Sequence, residues 1–217
     1  MNCNQIVKMV SDLGISRDKI FSEDLADEYI GKICEKYSFS YNTGISRLVI
    51  KPTGQNFVIK LPFNYWFDEE YCEYDELSCY KGINKWDACE YEQLIYNQAL
   101  IAGFEEFFLT INYIAGYDYP IYTQPLAEIA IYNQENYCGK KSNKIKEMLK
   151  NKHIGLMSEP VEVWFNWVYD KINNDNRFND FLNFLNKYDI AEDLHVGNIG
   201  IYHNKPVIVD YAGFNRE

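Results

Sequence analysis

Residues 193–210 constrain the fold more than any other part of the chain. Asp193-Leu194-His195-Val196-Gly197-Asn198 leads into the apolar run Ile199-Gly200-Ile201-Tyr202, and Pro206-Val207-Ile208-Val209 leads into Asp210-Tyr211-Ala212-Gly213. The two runs read as short strands joined at His203-Asn204-Lys205. If they pair as a hairpin, the turn brings both ends together. Asn198, just before the first strand, and Asp210, just after the second, then direct oxygen atoms into one space. Such a pair suits magnesium, which takes few protein oxygens beside phosphates. Asp193 stands five residues before Asn198. There it can orient a hydroxyl group and accept its proton.

The rest of the chain has to supply a frame for that segment. Residues 1–36 read as helical, with Ile6, Val7 and Val10 on one face and Ser22 capping a second helix that carries Leu25, Tyr29, Ile30 and Ile33. Alternation at 38–41 and short apolar runs at 48–50 and 56–61, with a turn at Pro52-Thr53-Gly54-Gln55, predict a three-stranded antiparallel meander. The aromatic and acidic stretch 62–86 reads as an insertion. A helix from Asp87, its N-cap, to Ala102 follows, then strands at Phe107–Tyr113 and Ile121–Gln124. From Pro125 onward the pattern is mostly helical, near 141–151, 160–172 and 177–188, where Phe178, Phe181, Leu182 and Leu185 form the clearest stripe. A strand-rich first half and a helical second half predict an α+β fold of two lobes around a cleft.

Composition excludes several classes of function. With 47% hydrophobic residues the chain is globular rather than disordered, and 217 residues can bury a core without disulfide or metal staples. Net charge is −11, which argues against nucleic acid as a partner, since phosphate binding needs clustered Lys and Arg. The one basic cluster, Lys140, Lys141, Lys144, Lys146, Lys150 and Lys152, reads as a solvated helix face. No apolar run reaches the roughly 20 residues of a membrane span, and Met1–Leu13 does not resemble a signal peptide, so the expectation is a cytoplasmic protein with no membrane partner. Six scattered cysteines without a zinc spacing read as reduced thiols. His195 and His203 lack a third ligand spaced for zinc.

Asp-Leu-His-x-Gly-Asn followed by an apolar strand ending in Asp resembles the catalytic loop and metal-binding motif of the protein-kinase-like superfamily. Its histidine form is closest to the aminoglycoside and choline phosphotransferase branch. The resemblance implies a two-lobed fold with a small antiparallel-sheet N-lobe (37–124, insertion 62–86), a truncated, mostly helical C-lobe (125–217) and an N-terminal helical extension (1–36). Val58-Ile59-Lys60 is similar to the family's strand lysine, which holds nucleotide phosphates. Its helix partner is Glu92, or Glu90 beside it; at 100° per residue Glu92 lies nearer the inward face. Asn42-Thr43-Gly44-Ile45-Ser46 occupies the position of the phosphate-covering loop, with Gly44 and Ser46 as contacts. Gln124 and Ala127 fall where the family's hinge meets adenine. The implied activity is an ATP- and Mg2+-dependent phosphotransferase, with Asp193 and His195 in the catalytic loop, Asn198 and Asp210 on the metal, and a protein or small hydroxylated molecule as acceptor.

The sequence departs from that family in three respects. Gly44 is the only glycine of its loop, and the lysine-to-glutamate interval is long. Seven residues follow Asp210 (211–217), so neither an activation segment nor a large C-terminal helical subdomain is expected. A kinase-like module used for protein interaction or regulation therefore stands beside the enzyme as an alternative. Taken singly, Lys60 reads as a surface lysine, Glu90 and Glu92 as solvated helix residues, Asp193 as a cap and Asn198 as a turn residue. His195 reads as a brace of its loop or a phosphate contact.

Overall fold

The first helix starts where its sequence supplies a cap. Asn2 accepts a hydrogen bond from the Gln5 N–H, and the Gln5 side chain accepts one from the Asn2 N–H, a reciprocal capping box. Helix α1 (Cys3–Asp12) turns Ile6, Met9 and Val10 inward. The computed structural model describes residues 1–14, 30–31, 36–43, 47–62, 88–129, 143–155 and 159–212. Gly44, Ser46, the Ser22 and Asp87 caps and nearly all of the acidic insertion lie outside the described residues.

Strands β1 (Phe39–Thr43), β2 (Arg47–Pro52) and β3 (Phe57–Pro62) form an antiparallel meander. The turn between β2 and β3 contains Gly54 at φ 72°, a left-handed conformation that glycine takes without steric cost. After helix α2 (Ala88–Ala102), strands β4 (Asn112–Ile114) and β5 (Ile121–Pro125) complete a five-stranded antiparallel sheet of order β1-β2-β3-β5-β4. The fold is mixed α+β.

Alternation along the strands gives this sheet two different faces. One carries Leu48, Ile50, Ile59, Leu61, Ile114 and Ile121, which pack with Ile6, Met9, Val10 and Leu13 of the α1 region in one apolar core. Register places Lys60 opposite Tyr122 and Val58 opposite Gln124, so these four side chains share the other face. There Tyr122 packs with Cys89 of α2 and Ile111. Cys89 is buried, whereas Cys3 is exposed. Asp12 at the end of α1 binds Lys36 at 2.8 Å and Lys8 at 3.3 Å, and accepts a hydrogen bond from the Tyr37 hydroxyl. These contacts, led by the Lys36 bond, hold the Asp12 carboxyl well below the usual carboxylate range and raise Lys36.

The chain divides into two compact units, residues 1–93 with 111–126, and residues 94–110 with 127–217. The second unit contains β6 (Glu128–Ile129), α3 (Asn143–Asn151), α4 (Glu159–Ile172), α5 (Asp175–Lys187), β7 (Ile199–Tyr202) and β8 (Lys205–Ile208). Its core is aromatic: Phe104 and Phe107 each lie 5.1 Å from Phe181, ring to ring, and Trp164 lies 4.9 Å from Phe165. Asn174 caps α5 by accepting from the Arg177 N–H. Two lysines of α3 and one just past its end are tethered at the surface. Lys144 meets Asp175 at 2.6 Å, Lys146 meets Glu162 at 3.1 Å, and Lys152 donates to Asn183 at 2.7 Å. The Asp175 bond raises Lys144, and Asp175 is lowered in turn.

Two stretches differ from the elements expected. Phe107–Tyr113 is not one strand. Glu105–Phe107 is a 3-10 turn that turns Phe104 and Phe107 into the aromatic core, the Leu109 N–H donates to the Ile208 carbonyl at 2.8 Å, and pairing with β5 begins only at Asn112. Glu128–Ile129, in the region expected to be mostly helical, is a strand. The Leu126 N–H donates to the Asn56 carbonyl at 2.9 Å, and β6 pairs with β7. Gly200 in β7 permits that pairing, since a Cβ there would stand 2.8 Å from the Ala127 Cβ and 3.2 Å from the Glu128 carbonyl oxygen. Among the described residues no helix is long and apolar enough to cross a membrane.

Candidate functional site

The first unit withdraws three charged side chains from water. Lys60 is 4% exposed, Arg47 5% and Glu92 0%. Lys60 Nζ lies 2.9 Å from Oε2 of Glu92 and 3.2 Å from its Oε1. Arg47 reaches Oε1 at 2.7 Å. Burying charge is costly unless it is paired; here one carboxylate serves two cations, so the trio carries a net charge of +1. The helix partner of Lys60 is therefore Glu92. Glu90, two residues earlier on α2, faces solvent. Gln124 is buried on the same sheet face as Lys60.

In the second unit the hairpin β7–β8 sets the geometry. Ile199 pairs with Ile208 and Tyr202 with Lys205, and the turn places His203 and Asn204 at φ 48° and 60°. Two consecutive left-handed residues are the requirement of the tightest hairpin connection. At the open end the Val209 N–H donates to the Asn198 carbonyl at 2.8 Å, which extends the ladder by one bond and sets Asn198 beside the segment entering Asp210. Asn198 is buried, and its Nδ2 donates to the Asp193 carbonyl at 2.8 Å and lies 3.4 Å from Asp193 Oδ2. With Nδ2 committed to the Asp193 loop, Oδ1 is the atom Asn198 offers to a cation. Oδ1 of Asp210 is buried at the same hairpin end. Tyr211 holds this end in place: its hydroxyl donates to the Leu109 carbonyl at 2.7 Å, and its ring packs edge-on to Phe108 at 5.3 Å.

His195 is the N-cap of the 3-10 turn Val196–Asn198. Its Nδ1 accepts the Gly197 N–H at 3.0 Å while its side chain faces solvent, which makes it a brace of the loop. Gly197 suits this contact, because a Cβ there would come within 2.9 Å of the imidazole. Ala127 stands against Gly200, beside β6.

The structure thus joins Lys60 to Glu92 in one unit and Asp193 to Asn198 in the other, with Asp210 at the hairpin end. Arg47 and Tyr211 are the residues that sequence reasoning did not single out. A lone arginine opening a strand carries no periodic signal. For Arg47 the available clue was position: two residues before Val49, which faces Lys60 across the sheet. Among the described residues no three His, Cys, Asp or Glu side chains gather as a metal cluster. The oxygen donors of the hairpin end, one amide and one carboxylate, are of the type a hard cation takes. The chain matches no protein-family model and no curated protein sequence.

Proposed function

We propose that the chain is an ATP- and magnesium-dependent phosphotransferase with a protein-kinase-like two-lobed fold, which transfers a phosphoryl group to a hydroxyl of a protein or small molecule. The observation that carries this reading is the buried Lys60–Glu92 pair, at 2.9 Å between β3 and α2. A strand lysine fixed by a helix glutamate is how a phosphate-binding ammonium is held in one orientation, and such pre-organisation suits an anion met there. The Asp193–Asn198 bond and the register of the β7–β8 hairpin support the same reading from the second unit.

Lys60 donates to phosphate oxygens of the nucleotide, while Gln124 and Ala127 offer backbone groups to adenine. Asp193 accepts a hydrogen bond from the acceptor hydroxyl and takes its proton as the acceptor oxygen bonds to the γ-phosphorus. The bond from that phosphorus to the β-phosphate oxygen breaks, and ADP leaves with its electron pair. His195 keeps the Asp193–Asn198 loop in shape through Gly197. The Asn198 Oδ1 and the Asp210 carboxylate would hold magnesium, which supplies positive charge to the phosphate oxygens.

The test measures thermal stabilisation by ATP with magnesium, and ATP turnover, in wild type, Asp193→Asn and Asp210→Asn. Expected are binding in wild type, weakened binding in Asp210→Asn, and retained binding with about a hundredfold or greater loss of turnover in Asp193→Asn. Nucleotide binding without turnover would refute catalysis and favour an interaction module, and turnover indifferent to Asp193 would refute the role given to that residue. Absence of any nucleotide effect in wild type would refute the cofactor as well.

A further inference from the structure

A lysine and a glutamate suffice to form an ion pair between a strand and a helix, yet Glu92 holds a second cation. The Arg47 guanidinium lies 2.7 Å from Oε1, the oxygen that Lys60 also approaches at 3.2 Å. Strand register brings Arg47 there: it stands opposite Pro62 while Val49 stands opposite Lys60, so Arg47, Val49 and Lys60 share one face of the sheet. We infer that Arg47 is a positioning residue for Lys60, fixing the Glu92 carboxylate so that the lysine meets the phosphates of a nucleotide in a single orientation. The inference rests on the phosphotransferase reading above.

The chemistry of the two cations explains why both are present. An ammonium group is a compact charge with rotating donors, and a glutamate held by it alone can rock about the contact. A guanidinium is planar and rigid, so at 2.7 Å it confines the carboxylate oxygen it faces through charge and shape. Arg47 orients Glu92, and Glu92 orients Lys60. Arg47 acts through Glu92; no contact between Arg47 and the ligand is required.

A role in phosphate anchoring predicts a different pattern of loss from a purely structural role. Affinities of the full chain for Mg-ATP, Mg-ADP and adenosine are measured in wild type, Lys60→Ala, Arg47→Gln and Arg47→Lys. Wild type should prefer ATP and ADP over adenosine. Arg47→Gln should lose roughly tenfold or more in affinity for ATP and ADP, the scale of one misaligned charge-assisted hydrogen bond, while adenosine affinity is unchanged. Arg47→Lys, which keeps a cation beside Glu92, should fall between the two, and it carries the comparison if Arg47→Gln does not fold. Equal losses for ATP and adenosine overturn the inference in favour of general disturbance. A full phosphate preference in both Arg47 variants, with loss in Lys60→Ala, also overturns it and leaves the phosphotransferase reading standing. A wild type that binds no nucleotide overturns both.

Discussion

Replacing Glu92 by alanine should lower the thermal midpoint of the chain by about 6–20 °C. The magnitude follows from burial. Arg47 and Lys60 are 5% and 4% exposed and Glu92 is fully buried, so solvent screens none of the three appreciably. Deleting one partner of a buried ion pair costs about 3–5 kcal/mol, because the remaining charge keeps its desolvation cost and loses its attraction. For a chain of this length each kcal/mol moves the midpoint by about 2–4 °C. Circular-dichroism melts would read the shift, and urea unfolding would check that the midpoint moves while the denaturant slope does not. Replacing the whole trio by apolar residues, Arg47→Met with Lys60→Met and Glu92→Leu, should recover most of the loss, since no charge is then left to desolvate. Two results would refute the reasoning. A Glu92→Ala midpoint within about 2 °C of wild type would mean that the trio is not buried and coupled as described. An apolar trio no more stable than Glu92→Ala would mean that packing, not charge, sets the cost.

Asp12 predicts a pH dependence. Its carboxyl is held below the ordinary value of 3.8, so its contribution is complete above that value and is lost as pH falls toward the lower folded one. The midpoint gap between wild type and Asp12→Asn should therefore be widest near neutrality and close as the medium is acidified below about pH 4; a gap that stays constant would contradict the tether. Tyr211→Phe removes the buried bond to the Leu109 carbonyl and should cost about 1–2 kcal/mol by urea unfolding, whereas an unchanged midpoint would show that the bond contributes nothing.

Local signals made much of this fold readable. The β7–β8 hairpin was legible because two apolar runs flank residues that accept left-handed turns, and the meander was legible for the same reason at Gly54. Helical period also told Glu92 from Glu90, since only the former turns toward the buried side of α2. What escaped was set by distant partners. Phe107 and Phe108 look like strand residues in isolation, but Phe181, Phe184 and Tyr211 draw them into an aromatic core far along the chain. Strand β6 is two residues long, too short for any period, and its one trace is a glycine in the strand it approaches. Arg47 was hidden for a similar reason, because its meaning lies in Glu92 on a helix the sequence places much later.

Asn198 and Asp210 are twelve residues apart, yet nothing in the structure measures that interval. Their neighbourhood is fixed by which residue faces which across the β7–β8 ladder, from Ile199 opposite Ile208 down to Tyr202 opposite Lys205. Lengthening both arms by equal, even numbers of residues would move the tip outward and leave the open end unchanged. Removing one residue from a single arm would turn every later side chain to the opposite face. A pattern used to find remote kin of this chain should therefore specify parity across the hairpin rather than a fixed spacing. The exposed His203-Asn204 tip is where such kin can differ in length, and where a reporter or epitope can be grafted with least disturbance to the ladder.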